Sequence, residues 1–102
     1  MTRETFYVGA RDKHVNIVSE TAWDDVDRFL VIRYDGFTRF YAYGAWRAPD
    51  GHILTEPSRV YVVLHDRPGY LAIDTAGMLA TMANQTCVLW TVDENVTGGF
   101  AP

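Results

Sequence analysis

The chain has 102 residues, 48% of them hydrophobic and 22% charged, with a formal net charge of −4. This is the composition of one folded domain: it excludes a disordered chain, a collagen or a coiled coil, and no apolar run approaches the roughly 18 residues of a membrane span. No stretch is dominated by lysine or arginine, so direct binding along a nucleic-acid backbone is not expected.

Met1-Thr2-Arg3-Glu4-Thr5 lacks the basic and apolar segments of a signal peptide. A single cysteine, Cys87, leaves no internal disulfide to form. Together these predict a cytoplasmic protein without a membrane partner.

In chain order, residues 5–10 and 14–19 flank Arg11-Asp12-Lys13 as a hairpin. Thr21 followed by Asp24 forms a capping pattern, which predicts a short helix over about 21–28. Phe29-Leu30-Val31-Ile32-Arg33-Tyr34 and Phe37-Thr38-Arg39-Phe40-Tyr41-Ala42-Tyr43 bracket Asp35-Gly36, a strong two-residue hairpin signature. That turn would pair Tyr34 with Phe37, Ile32 with Arg39, Leu30 with Tyr41 and Val31 with Phe40. Both faces of such a hairpin are apolar, so each needs a cover from its own domain, a second copy or a ligand.

Ala48-Pro49-Asp50-Gly51 predicts another turn, returning strand 40–47 through 52–55. In strand 59–65, alternation places Val60, Val62 and Leu64 on the core side and Arg59, Tyr61, Val63 and His65 on the other. Arg67-Pro68-Gly69-Tyr70 reads as a type II turn into a short strand at 70–73. A second helix is expected over about 74–84, capped by Asp74, followed by a closing strand at 86–93 and a poorly packed tail from 98 to 102.

The sum is one α+β domain over residues 1–102, a mainly antiparallel sheet of hairpins with two short helices. The alternative is the ferredoxin-like order βαββαβ, with 37–46 and 58–66 as its central strands. The meander is preferred because the other order leaves Asp35-Gly36 between a helix and a strand.

No familiar catalytic motif is present. Cys87, within Thr86-Cys87-Val88-Leu89-Trp90, reads as a buried core thiol. His14, His52 and His65 lack the spacing of metal ligands, phosphate-binding glycine loops are missing, and no cofactor is expected. Asp24, Asp25 and Asp27 read as an acidic helix start favoured by the dipole.

The leading expectation is therefore a non-catalytic interaction protein. It would form a dimer or bind and inhibit another protein through Tyr41, Tyr43 and Trp46, with Arg39 on the same strand. The alternative is a small-molecule binder or cofactor-free enzyme, with an apolar ligand under the sheet oriented by Arg59, Tyr61 and His65. A weaker reading, resting on Glu20 and the aspartates near Trp23, is a nucleic-acid mimic.

Overall fold

In the computed structural model, which describes residues 1–67, 71–99 and 101, the chain runs β1 (Thr2–Gly9), α1 (Glu20–Tyr34), β2 (Thr38–Arg47), β3 (Ile53–His65), α2 (Ala72–Met82) and β4 (Leu89–Asp93). The four strands form one antiparallel sheet in the order β2-β3-β1-β4. The α+β class with an antiparallel sheet and two helices is as expected, but its order is βαββαβ rather than the meander. The central strands are β3 and β1, and β2 lies at an edge.

The helix α1 explains the difference. Trp23, Val26, Leu30 and Tyr34 recur at helical spacing and are all buried, so one stripe anchors the whole segment. Burial of each such side chain contributes about 1.5–3 kcal/mol, and a strand over 29–34 would divide the same residues between two faces. Ser19, not Thr21, caps the helix: its side chain accepts a hydrogen bond from the Ala22 N–H at 3.1 Å.

At the other end Asp35 adopts φ 67°, and its N–H donates to the Val31 carbonyl at 2.8 Å. The Asp-Gly pair thus terminates a helix with a left-handed residue. No hairpin forms there, and the register expected around it does not exist.

The turn at Ala48-Pro49-Asp50-Gly51 forms as read. The Gly51 N–H donates to the Ala48 carbonyl at 2.9 Å, and Gly51 takes φ 94°. The returning strand is longer than expected and runs through Pro57, which donates nothing to the ladder but accepts from the Ala10 N–H at 2.9 Å. Of the hairpin expected over 5–19 only the bridge between Arg11 and Ile17 remains.

Helix α2 starts at Ala72, so Ile73 is helical rather than extended, and Asp74 lies in the first turn instead of capping it. Its buried residues, Ala72, Thr75, Ala76 and Leu79, are mostly small and allow close packing. The turn read at Pro68-Gly69-Tyr70 falls outside the described residues, as do Phe100 and Pro102 of the tail.

Both helices cover one face of the sheet. Beneath them lie Phe6 and Val8 of β1 and Tyr61 and Val63 of β3, each at most 1% exposed. The sides of β3 are therefore the reverse of those expected. Tyr61, Val63 and His65 are buried under the helices, whereas Leu64 is exposed on the open face, where Val60 alone of the expected core residues is fully buried. Among the described residues no helix is long and apolar enough to cross a membrane.

Candidate functional site

The polar residues under the helices are engaged with one another. Asp27 of α1 accepts from the Arg39 guanidinium at 2.6 Å and from the Tyr61 hydroxyl at 2.8 Å. Burial, reinforced by Asp27, pushes the Tyr61 hydroxyl up to about 12. Arg59 stacks over the Trp23 ring at 4.2 Å and lies 5.5 Å from that of Tyr41.

Further along, the Tyr34 hydroxyl donates to Glu4 Oε1 at 3.1 Å and sits 2.5 Å from Thr75 Oγ1. His65 Nε2 bonds the second Glu4 oxygen, while its Nδ1 accepts from the Arg67 N–H at 3.2 Å. Arg59, Tyr61 and His65, read as orienting groups for an apolar ligand, are thus spent on structure. A hollow of about 620 Å³ does open beside His65, but Arg67 and Asp66 on its rim pair with Asp35 and the Met1 amine at 3.7 and 3.4 Å.

The aromatic residues of β2 are exposed, but not as one surface. Tyr41 shares the helix side of the sheet with Arg39, whereas Trp46 falls on the open face. The expected contact surface of Tyr41, Tyr43 and Trp46 is divided between two faces.

The open face carries a different kind of site. Where β1 ends at Gly9, a cleft of about 700 Å³ opens between the β2–β3 hairpin, the loop after β1 and the segment joining α2 to β4. Tyr7, Trp46 and Leu89 give it apolar walls, and Glu56, Ser58, Gln85 and Cys87 contribute polar atoms. The Trp46 ring lies over Gly44, 3.5 Å from where a Cβ would stand, an ordinary van der Waals distance.

Local chemistry fixes the far wall. Asp12 accepts from the N–H groups of His14 and Asn16 and from the Asn84 side chain, fastening the loop to the end of α2. Asn84 takes φ 52° and turns the chain back, delivering Gln85 to the end of β1. The Gln85 amide nitrogen donates to the carbonyls of Gly9, Arg11 and Ala83 at 3.1, 2.9 and 3.2 Å. With the nitrogen so placed, the orientation of the amide is settled and its oxygen faces the cleft side of Gly9.

Glu56 reaches the same spot from β3. One carboxylate oxygen lies inside contact distance of the point where Gly9 would carry a Cβ, and Gln85 Oε1 lies 3.0 Å from that point. A Cβ at Gly9 would push the Glu56 carboxylate aside. Burial pushes the Glu56 carboxyl above the ordinary glutamate range, and the Arg11 guanidinium only partly offsets it. Glu56 accepts no hydrogen bond among the described residues. Cys87, expected in the core, is exposed and borders this cleft, because β4 begins two residues later at Leu89.

No protein-family profile matches the chain, and no curated protein matches it in sequence. Its fold is shared with a solved structure, a phage SAM lyase in complex with S-methyl-5'-thioadenosine. The TM-score is 0.63 at 17% identity, over 91% of this chain and 80% of that one. The expectation of a non-catalytic interaction protein is corrected by this likeness, since the fold is one that an enzyme uses. The missing motif was no argument against catalysis, because a site assembled from separate strands leaves none in the sequence.

Proposed function

We propose that this protein is a lyase acting on S-adenosylmethionine (SAM), with the adenosyl group held in the cleft at the Gly9 end of the open sheet face. The observation that carries the reading is the meeting, in one cleft, of aromatic faces with a carboxylate that accepts no hydrogen bond among the described residues. The shared fold supports it.

The chemistry suits the residues. A volume of about 700 Å³ lies in the range of small-molecule sites. Tyr7 and Trp46 offer ring faces, and stacking of a base on an aromatic side chain is worth about 1–3 kcal/mol. A sulfonium is a cation with little hydration, which aromatic faces and a carboxylate both attract. When the bond between sulfur and the four-carbon arm breaks, the electron pair stays on sulfur and gives neutral S-methyl-5'-thioadenosine. The arm balances this either by giving a proton from the adjacent carbon to solvent and forming a C=C bond, or by closing its own carboxylate onto the carbon that sulfur leaves and forming a lactone. Neither route consumes water, and the protein's part is to hold the sulfonium and keep the arm folded.

The test is incubation of the purified chain with SAM, followed by chromatography and mass analysis. S-methyl-5'-thioadenosine should accumulate with enzyme concentration, and the same compound, added alone, should raise the melting temperature. A chain that forms no such product and binds neither compound does not have this function.

A further inference from the structure

On the reading of the cleft just given, we infer that the two facing oxygens, Glu56 Oε1 and Gln85 Oε1, seat the positively charged centre of the adenosyl ligand. They thereby separate charged substrate from neutral thioether product.

The argument starts from an imbalance. The Gln85 amide nitrogen is spent on three backbone carbonyls, so its oxygen can only accept. The Glu56 carboxylate also only accepts when ionised. Both oxygens crowd the point above Gly9, and neither has a donor among the described residues. Two acceptors turned toward one point favour a donor or a cation between them.

Burial raises the Glu56 carboxyl, so its ionised form gains when a cation joins it. In the complex the partner of both oxygens is the ligand's cation, a sulfonium or an ammonium. The other charged or titratable groups bordering the cleft are Arg11, Asp12 and Lys13 of the loop, Tyr7 of β1, Tyr43 of β2 and Cys87. Asp12 is committed to its own loop and to Asn84. Glu56 is left as the carboxylate free to ionise against a ligand.

Selectivity of this kind has a use. Cleavage at sulfur destroys the sulfonium and removes the arm that carries the ammonium. S-methyl-5'-thioadenosine then leaves both oxygens without a cation to seat. The cleft favours what enters over what must depart.

The experiment compares the affinities of SAM, S-adenosylhomocysteine and S-methyl-5'-thioadenosine by calorimetry, in wild type, Glu56→Gln and Gly9→Ala. Wild type should prefer SAM over the thioether product. Glu56→Gln should weaken SAM about tenfold and leave the product within about twofold. Gly9→Ala, whose methyl displaces the carboxylate, should reproduce that pattern.

S-adenosylhomocysteine distinguishes the two cations. It follows SAM if the ammonium is seated and follows the product if the sulfonium is. Wild-type affinity for SAM should climb as pH rises through the Glu56 titration while affinity for the product stays flat. Equal affinities in wild type overturn the inference and leave the lyase reading standing, as does a preference for SAM that survives Glu56→Gln. If neither compound binds, the lyase reading falls and takes the inference with it.

Discussion

Glu4 and Glu56 stand on the two faces of the same sheet and have opposite fates. Glu4, fully buried under the helices, has both oxygens bonded, one to the Tyr34 hydroxyl and one to the His65 ring. Glu56, at the open end, accepts no hydrogen bond among the described residues and shares the space over Gly9 with Gln85 Oε1. The first carboxylate finishes a network that joins β1, β3, α1 and α2, and the second joins no such network among the described residues. A buried polar group with all its partners in the protein specifies the fold, whereas one that borders solvent without a partner is available to a ligand.

The contrast is sharpest in stability. Glu4→Ala takes the buried acceptor from both the Tyr34 hydroxyl and His65 Nε2 and should lower the unfolding free energy by about 3 kcal/mol. Glu56→Ala removes a side chain without hydrogen bonds and should stay within about 0.5 kcal/mol of wild type. Urea denaturation followed by circular dichroism measures both. Equal losses would erase the distinction between the two faces.

A smaller effect isolates the middle of the network. Tyr34→Phe deletes one hydroxyl while keeping the ring that packs against Phe6 and His65, at centroid distances of 6.5 and 5.8 Å. Thr75 and Glu4 each lose a partner, and the cost should be about 1–2 kcal/mol in the same assay. A loss as large as that of Glu4→Ala would mean that the hydroxyl, not the carboxylate, is the keystone.

What the sequence disclosed follows the range of the interactions. The turn at Ala48-Pro49-Asp50-Gly51 was legible because its hydrogen bonds close within five residues. Asp35-Gly36 misled because positive φ ends a helix as readily as it turns a hairpin. The decision lay in Trp23, Val26, Leu30 and Tyr34, whose common face spans twelve positions.

The cleft was illegible for a stronger reason. Gly9, Glu56 and Gln85 come from three separate segments, and the feature that joins them is an absent Cβ. Each alone is an unremarked glycine, glutamate or glutamine. The alternating strand 59–65 showed that two faces exist, but not which one the helices would cover. That depended on Asp27 and Glu4, which supply the partners of Tyr61 and His65.

The two faces also separate the tyrosines. The chain has six of them. Burial and the nearby Asp27 push Tyr61 up to about 12, and burial also raises Tyr34. In the unfolded chain a tyrosine ionises near pH 10, so the stability that these two contribute is full below that pH. It is lost as pH rises toward 12, because the unfolded state then releases protons that the folded state retains. Ultraviolet titration should show two phenols ionising late, and Tyr61→Phe should remove one of them. A native titration with all six ionising together near 10 would place Tyr61 in solvent.

The smallest effect in stability gives the most direct view of the open face. Cys87→Ser should leave the unfolding free energy within about 0.5 kcal/mol, since the thiol is exposed and packs no core. The same thiol should react with a disulfide reagent in the native protein at a rate close to that of the denatured chain. A thiol buried in a strand, as its neighbours Val88, Leu89 and Trp90 suggest in sequence, would instead wait for unfolding. Cys87 borders the cleft with Glu56 and Trp46, so saturating S-methyl-5'-thioadenosine should slow the labelling several-fold without changing the unfolding curve in its absence. Labelling that is fast in the free protein and indifferent to the ligand would keep the thiol on the surface and move the adenosyl group away from this end of the sheet.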